Sequence, residues 1–81
     1  MRLPRDLTGR RLAASLARLG YTITRQTGSH IRLTTERSGE HHVTIPDHAP
    51  LRIGTLANIL ADVAAHHRST REEIAELLFG R

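Results

Sequence analysis

His30 follows a Gly28-Ser29 pair, with Arg25 and Arg32 close by on either side. Imidazole is the side chain whose unperturbed pKa lies nearest neutrality, so it can trade a proton with a substrate at cellular pH. Guanidiniums bind phosphate in bidentate fashion. The combination suits chemistry on a phosphodiester. The plain alternative is a surface histidine in a β-hairpin, which position alone favours. A second candidate is the adjacent pair Arg10-Arg11, placed in the first turn of a helix. A cation there opposes the helix dipole by ~0.3 to 1 kcal/mol. An anion docking on two converging guanidiniums and the free backbone N–H groups would offset that cost. Solvated charges on the outer side of the helix are the competing reading.

The other histidines, His41, His42, His48 and the pair His66-His67, invite a metal. No spacing among them matches a zinc signature, and adjacent strand residues such as His41 and His42 face opposite ways. No metal or other cofactor is therefore expected. His66 and His67 are read as helix C-terminal residues, where positive charge is favoured. Cysteine is absent, which removes disulfides, thiolate metal sites and cysteine nucleophiles together. With Tyr21 and Phe79 as the two aromatic residues, and Tyr21 assigned to the core, there is no platform on which single-stranded bases could stack.

These residues need elements to hold them. Thr8 can cap a helix over Gly9 to Leu19, with Leu12, Ala13, Leu16 and Leu19 on one stripe and Gly20 as a left-handed exit. Three alternating segments follow, Tyr21 to Thr24, His30 to Thr34 and His42 to Ile45. Gln26-Thr27-Gly28 and Arg37-Ser38-Gly39 read as three-residue turns. Those turns imply that Ile23 pairs with Ile31 and Tyr21 with Leu33, and that Leu33 pairs with Val43 and Ile31 with Ile45. All the apolar strand residues then share one face. Thr22, Thr24, His30, Arg32, Thr34, His42 and Thr44 share the other. After a loop at Asp47 to Pro50, a second helix opens at Gly54-Thr55 and runs to about His66 on Leu56, Ile59, Leu60 and Val63. A capping box at Ser69-Thr70-Arg71-Glu72 starts a third helix carrying Ile74, Leu77 and Leu78, closed by Gly80. The fold class is α+β, a two-layer sandwich of order α-β-β-β-α with an extra C-terminal helix.

The 81 residues, 38% hydrophobic, can bury one small core but not a deep cofactor cavity beside it. A single domain is expected over 1–81, with a core at about 8–61 and a helical extension at 62–81. No apolar run approaches the ~20 residues of a membrane span, and the start Met1-Arg2-Leu3-Pro4-Arg5 lacks a signal peptide's apolar stretch, so a cytoplasmic protein is expected. Twelve arginines and no lysine face eight carboxylates, for a net charge of +4. Residues 1–61 hold nine arginines against Asp6, Glu36, Glu40 and Asp47, and residues 62–81 hold three against Asp62, Glu72, Glu73 and Glu76. The basic portion calls for a polyanion, with nucleic acid the leading candidate, although GC-rich coding also yields arginine in place of lysine.

The chain resembles the HicA toxins, small mRNA interferases of bacterial toxin-antitoxin modules. The likeness lies in Gly28-Ser29-His30 opening the second strand, in Val43-Thr44-Ile45-Pro46 followed by His48, in Leu51-x-x-Gly54-Thr55-Leu56-x-x-Ile59-Leu60, and in a first helix that ends at Gly20-Tyr21. The resemblance implies a double-stranded-RNA-binding-domain-like fold, ribosome-independent cleavage of mRNA, a key histidine that maps onto His30, and neutralisation by a HicB antitoxin in a hetero-oligomer. On that expectation the RNA's own 2′-OH attacks phosphorus without a metal, with His30 as general acid or base. Arg25 and Arg32 stabilise the phosphorane, and Gly28 and Ser29 orient the strand. His48 is the candidate second proton-transfer group, because the register sets Pro46 opposite His30. The rival readings are a non-catalytic RNA-binding module gripping phosphates with Arg10, Arg11, Arg18 and Arg52, and a protein-protein adaptor using the acidic third helix.

Overall fold

A computed structural model describes residues 3–80; Met1 and Arg2, which begin the stretch read above for a signal peptide, lie outside the described residues. Thr8 caps α1 (Gly9–Ser15), its hydroxyl oxygen accepting the Arg11 amide at 3.1 Å. The expected single helix tightens into a 3₁₀ turn over Leu16–Leu19 and exits through Gly20 at φ +82°. A three-stranded antiparallel sheet follows, β1 (Thr22–Thr27), β2 (His30–Thr35) and β3 (His41–Pro46), in the order β1-β2-β3. The helices α2 (Ile53–His66) and α3 (Arg71–Phe79) complete the chain. This is the α+β, double-stranded-RNA-binding-domain-like arrangement with a third helix added.

The core lies between the sheet and the helices. Leu12, Leu16, Ile31, Leu33, Ile45, Leu56, Leu60 and Val63 are fully buried, with Tyr21 beside them. The helix α1 packs on β2 and β3, α2 packs on β3, and α3 leans on α2 and the 3₁₀ turn. Ile74, Ala75 and Leu78 of α3 join the same cluster, so the C-terminal extension is built into the core rather than appended to it. Buried Thr35 is satisfied: its hydroxyl donates to the Leu19 carbonyl at 3.0 Å and accepts the Arg37 amide at 3.1 Å.

Pairing of β2 with β3 follows the expected register, with Leu33 opposite Val43, Ile31 opposite Ile45, and His30 opposite Pro46. The first hairpin does not. Its turn is the two residues Gly28-Ser29, with Thr27 opposite His30 and Gly28 at φ +56°, so Ile23 lies opposite Leu33 and not Ile31. Two-residue loops with positive φ match the twist of paired strands, and that preference outweighs the three-residue reading. A bulge between Ile23 and Arg25 absorbs the extra residue. The expected burial of one β1 face also fails. All six residues of β1 are exposed, Ile23 at 52%, because α1 covers β2 and β3 and leaves the edge strand outside.

Two helix starts differ by a residue. The helix α2 begins at Ile53 rather than Gly54. The capping box of α3 is Thr70 with Glu73, not Ser69 with Glu72: the Glu73 amide donates to the Thr70 hydroxyl at 3.1 Å and the Thr70 amide to the Glu73 carboxylate at 2.9 Å. Ser69 instead donates its hydroxyl to Glu73 at 3.0 Å. This phase buries Ile74 and Leu78 and turns Leu77 out, 44% exposed. Arg18, a candidate phosphate ligand on the rival reading, donates to the Leu77 carbonyl at 2.9 Å and so satisfies the end of α3.

Candidate active site

The sheet has one face under the helices and one facing solvent. His30 opens the central strand on the solvent side, exposed, with Thr27 across from it on β1 and Pro46 on β3. Its hairpin is tied down from behind. The Asp47 amide donates to the Ser29 carbonyl at 2.6 Å, and the Gly9 amide donates to the His48 carbonyl at 3.0 Å. A Cβ on Gly9 would collide with the Pro46 carbonyl, so only glycine lets α1 approach this closely. The loop carrying His48 is thereby held beside the Gly28-Ser29 turn, as its position after Pro46 requires, and the His48 side chain is exposed.

Arg10 and Arg11 do not converge. Arg10 pairs with Asp47 at 3.1 Å, an exposed contact worth under about 1 kcal/mol whose partner belongs to the loop behind His30. Arg11 lies across the helix, in a groove with Arg18 and the end of α3. The amides of Gly9 and Arg11 are already taken by His48 and Thr8. Two of the first-turn amides are thus taken by the protein's own acceptors.

Arg25 and Arg32 are brought together more closely than expected. The bulge keeps Ile23 on the helix side opposite Leu33 while setting Arg25 directly across from Arg32 on the solvent side. They share an open groove with Thr24, Thr34, Glu40 and His42. Across its floor runs a hydrogen-bonded chain. Glu40 Oε2 is 2.7 Å from His42 Nε2, His42 Nδ1 is 2.7 Å from Thr34 Oγ1, and Thr34 Oγ1 is 3.0 Å from Thr24 Oγ1. The alternation of β2 and β3 places Thr34 and His42 on this face from sequence alone; nothing local signals that Glu40 folds back onto His42.

The remaining histidines gather at the opposite end of the sheet. Tyr21 reaches from under the sheet with its hydroxyl 2.7 Å from His41 Nδ1 and 3.1 Å from His67 Nε2, and His41 Nε2 is 3.2 Å from Asp62 Oδ1. The His41 and His66 rings stack at 4.3 Å, and His66 Nε2 donates to the carbonyls of Arg37 and Gly39 at 3.0 Å. Burial, helped by Asp62, pushes the Tyr21 pKa up to about 12. Burial also lowers that of His67, with His66, His41 and Arg37 adding to the effect. The reading of His67 as a residue whose positive charge is favoured is therefore corrected: its surroundings favour the neutral ring. His41 and His42 do face opposite sides, one to Tyr21 and the other to Thr34. Among the described residues no group of three or more His, Cys, Asp or Glu side chains is arranged to hold a metal ion, and no helix is long and apolar enough to cross a membrane.

The architecture and the two-sided sheet define a small α+β domain of the double-stranded-RNA-binding type, with a histidine and an arginine pair on its open face. The family model described as HicA toxin of bacterial toxin-antitoxin matches residues 9–64, from the first residue of α1 almost to the end of α2, and the chain belongs to that family. It is accordingly the toxin of a toxin-antitoxin system, with an antitoxin for partner. No significant match is found among curated proteins or among solved structures.

Proposed function

We propose that this toxin is a metal-independent endoribonuclease that cuts mRNA in the cytoplasm and is neutralised by a HicB-like antitoxin in a hetero-oligomer. The observation that carries the reading is the placement of His30: exposed, at the mouth of the central strand, with Arg32 two residues further along the same face. In the reaction the ribose 2′-oxygen attacks phosphorus as His30 takes its proton. The bond to the 5′-oxygen breaks, that oxygen is protonated, and a cyclic phosphate and a 5′-hydroxyl end result. Such proton transfer is worth ~10²- to 10⁴-fold. His48, in the loop held next to Ser29, is the candidate donor for the second proton, and Gly28 and Ser29 shape the turn that presents His30. Arg25 and Arg32 are the candidates to stabilise the charge that builds on the phosphorane.

The test is incubation of purified protein with end-labelled RNA in excess EDTA. Cleavage by the wild type that is lost in a folded His30→Ala variant supports the enzyme. RNA retention without cleavage by the wild type replaces it with a non-catalytic binder. A protein that neither cuts nor retains RNA at low salt is an adaptor.

A further inference from the structure

We propose that Arg25, Arg32 and the Glu40–His42–Thr34 chain form a phosphate-binding subsite for the RNA strand beside the His30 position and separate from it. The proposal rests on the reading of this face as RNA-binding and gives the two arginines a substrate-holding role in place of transition-state stabilisation.

Like charges directly across a strand pair repel, yet the bulge in β1 sets two guanidiniums face to face. Neither forms an ion pair among the described residues, where the pairs formed are Arg10 with Asp47, His41 with Asp62 and His42 with Glu40. Glu40 lines the same groove, but its carboxylate is engaged by His42 at 2.7 Å. The groove therefore presents two fork-shaped donors to an anion that the protein itself does not supply, over a floor whose threonine hydroxyls are held by His42, by each other and by the Arg32 carbonyl. Bulges re-aim side chains next to functional sites, and this one lets Arg25 join Arg32 while Ile23 stays on the helix side.

Spacing separates this groove from the reacting bond. Arg32, with Arg25 across from it, stands two residues along β2 from His30, about 7 Å at ~3.3 Å per residue, and His42, opposite Thr34, stands four residues along, about 13 Å. His42 cannot share a phosphate with His30. Both its ring nitrogens are also occupied, by Glu40 and Thr34, so its role is to fix the Thr34 hydroxyl rather than to move a proton. His42 is a positioning residue. The anion that fits is the phosphate of a nucleotide flanking the one that is cut.

The experiment measures binding of a fluorescein-labelled oligoribonucleotide by fluorescence anisotropy across a salt series, in a His30→Ala background that prevents cleavage. Arg25→Gln and Arg32→Gln should each weaken binding roughly tenfold and flatten the salt slope by about 0.7. Thr34→Val should weaken it less and leave the slope unchanged. Arg71→Gln removes the same charge from the exposed start of α3 and should bind like its parent. In the active protein, Arg25→Gln should raise KM with kcat retained. Equal losses from Arg71→Gln and Arg32→Gln would show a net-charge effect and overturn the subsite, as would a fall in kcat at constant KM. Absence of binding by the His30→Ala parent would overturn the RNA-binding reading and the subsite with it. Binding by the parent that neither arginine variant alters would overturn the subsite alone.

Discussion

The two ends of the sheet use the same side chain in opposite ways. At one end His30 stands on an exposed hairpin whose backbone is anchored from behind by Asp47 and α1. At the other, His41, His66 and His67 close around Tyr21 and Asp62, with ring nitrogens committed to a hydroxyl, a carboxylate or carbonyls. An imidazole does chemistry when one nitrogen is free to face a substrate, and it does structural work when its nitrogens are satisfied within the fold. Residue type does not distinguish the two; hydrogen-bond partners do.

The contrast is broken most directly by His30→Ala. It should lower RNA cleavage by at least ~10²-fold with an unchanged thermal midpoint, since the ring lies in solvent; a large drop in melting temperature would place it in the structural class. Gly9→Ala comes next. Its Cβ meets the Pro46 backbone, which cannot yield as a flexible side chain would. A loss of about 1 to 3 kcal/mol in urea unfolding is expected, of the order seen when an added group overpacks a close contact, together with weaker activity because the loop beside His30 moves.

Tyr21→Phe probes the other end. Removing the hydroxyl leaves His41 Nδ1 and His67 Nε2 without their partner, at a cost of about 1 to 3 kcal/mol, while cleavage should stay at the wild-type rate. The smallest effect is a pH dependence of stability. The folded-state pKa of His67 is below its unfolded value of 6.5, so the unfolded chain binds the extra proton. The stability linked to this residue is present above about 6.5 and is lost as pH falls below it. Tyr21 has the opposite sign: raised from 10.0 to about 12, its contribution is present below 10 and is lost as pH rises through that interval. Chemical unfolding across pH should therefore show a plateau between these limits, and the acid limb should flatten in His67→Gln.

Much of the fold was legible because local rules and burial agreed. Thr8 as a cap, Gly20 as a left-handed exit, the β2–β3 register and the Leu56 to Val63 stripe each needed only spacing and turn chemistry. The first hairpin departs from its expected register because glycine at 28 fits a two-residue or a three-residue turn equally well, and an edge strand without burial gives no pattern to decide between them. The α3 cap slipped by one residue because Ser69-Thr70 and Glu72-Glu73 offer two overlapping capping boxes, and the packing of Ile74 and Leu78 chose the second.

The candidate site divides along the same line. The presence of His30, Arg32, Thr34 and His42 on one open face follows from strand alternation, a property of the chain's own period of two. The pairing of Arg10 with Asp47, the return of Glu40 onto His42, and the meeting of Tyr21 with His67 across 46 positions of sequence depend on how separate elements dock. Periodicity fixes the side of an element on which a residue stands. Which polar atoms find partners is settled when distant segments come together, and here that sets His41, His42, His66 and His67 into the framework and leaves His30 exposed.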